Sequence, residues 1–242
     1  MANIRGTAGR DTLNGTSLAD VILGGGDDDT IDGGAGNDQM FGETGNDTFL
    51  GGDGMDTMDG GADVDTVTYA QSASGVKVSL ATGKGSGGQA EGDTLISIEN
   101  LTGSQHRDFL FGSDGRNTIN GGQGNDLISA GGDNDVVIGG GGNDTLSGGS
   151  GSDHFVFATS RWSNISGVDV ISDFQVGVDV LEFRVGGWAT PQGSVDSLDD
   201  LTFSQVGNDT VISYGYYGES ITLTGVSVAQ LHLHAATDFL FS

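Results

Sequence analysis

The sequence predicts an all-β repeat protein, and three observations predict it: a nine-residue period, a glycine-rich composition, and an aspartate excess concentrated at one position of that period. Of 242 residues, 46 are Gly, one is Pro and none is Cys. Gly on this scale weakens helix interiors and argues against a helical bundle. No three-residue glycine period is present, which argues against a collagen triple helix. The 34 acidic residues comprise 29 Asp and only 5 Glu, against 8 Lys and Arg, for a formal net charge of −26. Glu is the better helix former, so an Asp excess points to turns or metal sites. The charge argues against nucleic acid as a partner, because phosphate contacts need Lys and Arg. No apolar run approaches the length of a membrane span, and Met1 to Asp11 lacks the apolar core of a secretory signal peptide.

The period is explicit. From Gly6 the chain divides without a gap into GTAGRDTLN, GTSLADVIL, GGGDDDTID, GGAGNDQMF, GETGNDTFL, GGDGMDTMD and GGADVDTVT, ending at Thr68. A second array runs from Gly103 as GSQHRDFLF, GSDGRNTIN, GGQGNDLIS, AGGDNDVVI, GGGGNDTLS and GGSGSDHFV, ending at Val156. Position 1 is Gly except at Ala130, position 6 is Asp except at Asn117, and position 8 is apolar throughout, from Leu13 to Phe155. Gly at positions 1, 2 and 4 permits positive φ and close backbone approach, as a tight turn requires. A lone apolar residue at the centre of a three-residue strand points inward while its neighbours point out.

These units resemble the GGxGxDxUx nonapeptide of the RTX (repeats-in-toxin) family, the hemolysin-type calcium-binding repeats. The resemblance implies a right-handed parallel β-roll in which six residues turn, three form a strand and two nonamers complete one coil. Coils stack at about 4.8 Å. Turns two units apart then overlie, with Asp11, Asp29, Asp47 and Asp65 in one column and Asp20, Asp38 and Asp56 in the other. Stacked carboxylates repel unless a cation separates them, and hard oxygen donors without Cys suit Ca²⁺ over Zn²⁺ or Cu.

The ligand set implied by the resemblance is carried by residues of both arrays. In the first these are Asp20, Asp29, Asp38, Asp47, Asp56 and Asp65, with Gly24, Gly26, Gly33, Gly34, Gly36, Gly42, Gly45, Gly51, Gly52 and Gly54. In the second they are Asp126, Asp133, Asp135, Asp144 and Asp153, with Gly121, Gly122, Gly124, Gly139, Gly140, Gly142, Gly148, Gly149 and Gly151. Seven units offer five stacked pairs and six offer four, so about nine ions is the nominal ceiling. The first, eighth and ninth units are expected to bind weakly or not at all. Leu18 and His106 replace the position-4 Gly, Asn117 removes a carboxylate, and Arg10, Arg107 and Arg116 bring positive charge. Asp27, Asp63 and Asp133 stand at position 4, either as an added ligand or facing solvent. A core one residue wide is thin, so folding is expected to be coupled to metal binding.

Four segments follow: a first array at 1–68, wider bridging coils at 69–102, a second array at 103–156, and a C-terminal cap at 157–242. Within the bridge, Gly75 to Leu80 and Asp93 to Leu101 read as strands; a linker between separate rolls is the alternative. Residues 167–183, 201–214 and 220–226 alternate apolar and polar residues like strands and resemble the cap that follows the repeats in serralysin-type exoproteins. Asp238-Phe239-Leu240-Phe241-Ser242 resembles the family's uncleaved type I secretion signal. The resemblance therefore implies a secreted, extracellular chain passed unfolded through a type I secretion exporter, and the lack of Cys agrees. Extracellular modules bind Ca²⁺ at ~10⁻⁴–10⁻³ M, so the chain is expected to fold outside the cell. Met1 so close to the repeats suggests a complete small exoprotein; the alternative is the C-terminal module of a larger exoenzyme (protease, lipase or alginate epimerase).

No catalytic constellation stands out. HExxH and GxSxG are absent, and without Cys no thiol nucleophile exists. His106 and His154 fall at turn and strand-surface positions. His232 and His234 would share a strand face, but two ligands without a third do not make a transition-metal site. Tyr214, Tyr216, Tyr217, Trp162 and Trp188 are candidates for stacking on an extracellular polysaccharide, with a cap core as the plainer role. Thr12, Thr30, Thr48 and Thr66 recur every eighteen residues as an outward ladder on one sheet, which cross-strand Thr pairing explains.

Overall fold

In the computed structural model, which describes residues 1–159, 167–185, 195–214 and 218–242, each nonamer contributes one short strand and successive strands enter two different sheets. The described chain divides into two units, Met1–Ser113 and Asp114–Ser242. In the first, Asn3–Arg5, Val21–Gly25, Gln39–Thr44 and Thr57–Ala62 pair in parallel in one sheet. Thr12–Asn14, Thr30–Asp32, Thr48–Leu50 and Thr66–Thr68 pair in parallel in the other. Ile22 opposes Met40 and Met40 opposes Met58, while Leu13, Ile31, Phe49 and Val67 follow one another across the second sheet. The register is two nonamers, so two nonamers make one coil of a parallel β-roll.

The core follows from the strand pattern. The middle residue of each three-residue strand faces the opposite sheet and its neighbours face out. Ile22, Ile31, Met40, Phe49, Met58 and Val67 are accordingly buried completely. Thr12, Thr30, Thr48 and Thr66 stand opposite one another on the outward side, as the eighteen-residue spacing requires.

After Thr68 the chain keeps the roll geometry without the nonamer. Thr94–Ile96 pairs with Thr57–Ala62 and sets Leu95 over Met58; Asn100–Thr102 pairs with Thr66–Thr68 and sets Leu101 over Val67. Asp93 to Leu101 is thus two short strands rather than one. Ser97, at φ 49°, turns the chain from one sheet to the other between them. Lys84–Ser86 runs antiparallel to both Thr94–Ile96 and Lys77–Ser79, and Lys77–Ser79 pairs in parallel with Phe109–Ser113.

In the second unit Thr118–Asn120, Val136–Ile138, His154–Thr159, Val180–Val185 and Phe239–Phe241 form one parallel series. Leu127–Gly132, Thr145–Ser150, Val168–Ile171 and Glu219–Leu223 form the other. The coil therefore continues past Val156, with Leu146 opposite Ile171 and Phe155 opposite Leu181. It ends where Asp209–Tyr214 and Thr202–Val206 add antiparallel strands. Phe183 fills this end, edge-on to Tyr214 at 5.2 Å and stacked on Phe241 at 5.7 Å.

One helix, Val228–Asp238, stands where the sequence pattern pointed to strand. The alternation Leu231-His232-Leu233-His234 mimics a strand, but Ser227 and Gln230 form a capping box that starts a helix. His232 and His234, two apart on a helix, do not share a face. His232 meets the ring of Phe203 instead. This helix is too short to cross a membrane, and among the described residues no helix is long and apolar enough to do so.

Candidate metal centre

Stacking brings the position-6 aspartates into hydrogen-bonded columns. The backbone N–H of Asp20 donates to Asp38 Oδ1 at 2.7 Å, that of Asp38 to Asp56 Oδ1 at 2.8 Å, that of Asp29 to Asp47 Oδ1 at 2.8 Å, and that of Asp47 to Asp65 Oδ1 at 2.8 Å. In the second array Asp126 donates to Asp144 Oδ1 and Asp135 to Asp153 Oδ1, both at 2.9 Å. One oxygen of each carboxylate is thereby used to hold the coil beneath it.

The other oxygen is not used by the protein. Oδ2 of Asp29, Asp38, Asp47, Asp56, Asp65, Asp135, Asp144 and Asp153 is buried without a hydrogen-bond partner. An unsatisfied buried acceptor costs about 1–3 kcal/mol, and more when charged. Except for Asp135, whose repeat begins with Ala130, each such atom faces the position-1 glycine of its own repeat. A Cβ on Gly24 would lie 2.6 Å from Asp29 Oδ2 and 2.8 Å from the Gly42 carbonyl; one on Gly33 would lie 2.7 Å from both Asp38 Oδ2 and the Gly51 carbonyl. Glycine keeps open a space bounded by carboxylate and carbonyl oxygen, the hard donors that Ca²⁺ prefers. Among the described residues no three His, Asp or Glu side chains converge as a metal group, so backbone carbonyls must supply the rest of any shell.

Electrostatics point the same way. Burial first, then neighbouring carboxylates, pushes Asp47 up to about 6, and Asp56, Asp65 and Asp135 up to about 7. Asp29, Asp38, Asp144 and Asp153 are raised as well, chiefly by burial. The residues fit a divalent cation, whose charge would reverse these shifts.

The turns reach this geometry through left-handed backbone at positions 2 and 4, for instance Gly34 at φ 88° and Gly36 at 122°. Asp27, Asp63 and Asp133 take the same conformation at position 4, with φ 66°, 80° and 66°. Their side chains are exposed, and Asp133 Oδ1 accepts the N–H of Asn134 at 2.7 Å. Asp20 departs from the other position-6 aspartates. Its Oδ2 accepts both the N–H and the hydroxyl of Thr16 at 2.7 Å, and its carboxyl lies below the usual range, held there first by the Ala2 N–H and then by Thr16.

Several residues of the columns are not visible in the nonamer pattern. Asp93 Oδ1 accepts the Asp56 N–H and Glu99 Oε2 the Asp65 N–H, both at 2.9 Å; Asp169 and Asp179 do the same for Asp144 and Asp153. Asp-x-apolar was their available signal, in Asp93-Thr94-Leu95, Asp169-Val170-Ile171 and Asp179-Val180-Leu181. A second ladder runs the opposite way at position 5. Asn37 Oδ1 accepts the N–H of Met55, Asn46 Oδ1 that of Val64, and Asn125 Oδ1 that of Asn143. The recurring Gly-Asn-Asp triplet was its signal.

Tyr214 is buried against Phe157 and Phe183 and presents no ring for stacking on a sugar. Trp162, Trp188, Tyr216 and Tyr217 lie outside the described residues. His154 is 3.8 Å from Glu182, which also binds Arg184.

Two parallel sheets closed by stacked, oxygen-lined turns define a cation-binding β-roll. Residues 5–67 and 102–155 belong to the RTX calcium-binding nonapeptide repeat family, whose model matches four copies at 5–40, 33–67, 102–137 and 120–155. That family is structural and calcium-binding, and this region of the chain is a calcium-binding β-roll module. No curated protein matched the sequence. Among solved structures, the extracellular lipase LipA from Serratia marcescens is similar over 98% of this chain at 18% identity and a TM-score of 0.41. The chain spans 40% of that lipase's length.

Proposed function

We propose that this chain is a secreted module that folds when it meets extracellular calcium, with Asp29, Asp38, Asp47, Asp56, Asp65, Asp126, Asp135, Asp144 and Asp153 as the carboxylate ligands. The observation that carries this is the recurrence of a buried, unpartnered Oδ2 beside an open glycine in turn after turn. Bound calcium supplies the positive charge that lets stacked carboxylates stay ionised. The chain's own part is to hold one carboxylate oxygen on the neighbouring coil and leave the other exposed to the ion.

At cytosolic calcium the turns lack their counter-charge, and the chain stays available to a type I exporter; at ~10⁻³ M outside the cell the roll closes. The tail fits such a sequence. Phe239–Phe241 pairs with Leu181–Phe183 and Asp238 is buried, so an exporter would read Asp238 to Ser242 only before folding. Circular dichroism of the full chain in EDTA and then in millimolar calcium tests the reading: β signal is expected to appear with calcium, and an equal signal in both conditions would contradict it.

A further inference from the structure

Resting on the calcium reading above, we propose that Thr or Ser at the second position of a repeat replaces the ion, so that the turns ending at Asp11, Asp20 and Asp108 are closed by their own hydroxyls and bind no calcium. Two kinds of turn occur. In the closed kind the position-2 N–H donates to Oδ2 of the position-6 aspartate: Thr7 to Asp11 at 2.6 Å, Thr16 to Asp20 at 2.7 Å, and Ser104 to Asp108 at 2.5 Å. The hydroxyl of the same residue donates to that carboxylate as well, at 2.9, 2.7 and 2.9 Å. It also accepts the position-4 N–H, of Gly9, Leu18 and His106 respectively. The Oδ2 left open in other turns is thus satisfied within the repeat, while Oδ1 of Asp20 and Asp108 accepts the N–H of Ala2 and of Val76 from a neighbouring coil.

In the open kind position 2 is left-handed, which turns its N–H away. Gly34, at φ 88°, donates instead to Asp32 Oδ1, and Gly122, at 94°, donates to Asn120 Oδ1. Oδ2 of Asp38, in the repeat that contains Gly34, is then left buried and unpartnered. Conformation, rather than the glycine side chain, makes the difference. Glu43 occupies position 2 at φ 75°, and the Oδ2 of its repeat, on Asp47, is likewise unpartnered. The same division explains Leu18 and His106, since a closed turn needs no positive φ at position 4, and neither residue has one. Closed turns open both arrays, at Thr7, Thr16 and Ser104. Each array therefore begins with coils that need no metal and offers a folded edge on which the metal-dependent coils can stack.

Counting bound calcium per full chain, by equilibrium dialysis against millimolar calcium chloride and elemental analysis, tests this. Asp20→Asn and Asp108→Asn are expected to bind as many ions as the wild-type chain, while Asp38→Asn and Asp144→Asn each bind at least one fewer. A loss at Asp20→Asn or Asp108→Asn matching that at Asp38→Asn overturns the proposal, as do equal counts in all four variants. Where a buried Asn prevents folding, Asp11→Asn in the half-buried first turn makes the same comparison, with an unchanged count in support and a lost ion against. A wild-type chain that binds no calcium contradicts the calcium reading itself, whereas normal wild-type binding with ions lost at Asp20→Asn contradicts only the division of turns.

Discussion

The hydroxyl of Tyr69 donates to Asp93 Oδ2 at 2.9 Å, with both residues buried almost completely. Asp93 Oδ1 already accepts the Asp56 N–H, so the carboxylate that continues the Asp20–Asp38–Asp56 column is satisfied at both oxygens. A phenol stands here where Asp38 and Asp56 leave an oxygen open.

Tyr69→Phe removes that donor and leaves Asp93 Oδ2 buried without it. The expected loss of stability is about 1–3 kcal/mol, read as a lower urea midpoint in saturating calcium. A variant that unfolds at the wild-type midpoint would show that the phenol does not hold the carboxylate.

Ala130 shows that position 1 accepts a methyl group in one repeat, but Gly33 is expected to be intolerant of one. Gly33→Ala places a Cβ against Asp38 Oδ2 and the Gly51 carbonyl, whereas Gly9→Ala meets nothing within 4 Å. Gly33→Ala should cost about 1–3 kcal/mol by overpacking and weaken calcium binding, while Gly9→Ala stays close to wild type. Calorimetric titration and thermal melts distinguish them; equal behaviour of the two would contradict the assigned space.

In chelator, acid should stabilise the roll. Unfolded aspartates titrate near ~3.9, while in the folded state burial raises Asp47 to about 6 and Asp56, Asp65 and Asp135 to about 7. The folded state then binds more protons between these values, so stability falls as pH rises from about 4 through 7. Saturating calcium should flatten or reverse this slope. Circular dichroism in EDTA at pH 5 and pH 8 provides the check, with more β signal expected at pH 5, and more at pH 8 would contradict it.

The helix Val228–Asp238 depends on its cap. Ser227→Ala removes the acceptor for the Gln230 N–H and half of a capping box, at an expected cost of about 1 kcal/mol. Because the cap lies outside the repeats, the loss should be the same at low and high saturating calcium. A loss that grows with calcium would link the helix to the turns.

The repeats made most of the roll legible. Position 8, from Ile22 to Phe155, marks the inward face, and position 6 marks the columns, because each nonamer solves the same packing problem as the one two units away. What lay beyond the pattern depended on contacts distant in sequence. Asp93, Asp169 and Asp179 join the columns through coils of irregular length, so spacing alone does not find them. The helix was hidden by a Leu-His alternation of the wrong period. Leu18 and His106 looked like defects in the repeat, and only the backbone of Thr16 and Ser104 explains why glycine is not needed there.

The most direct measurement is a crystal structure grown in millimolar calcium, with anomalous scattering recorded at long wavelength. Peaks are predicted within about 2.3–2.6 Å of the Oδ2 atoms of Asp38, Asp47 and Asp144. Turns without density beside these three atoms, in crystals saturated with calcium, would contradict the account.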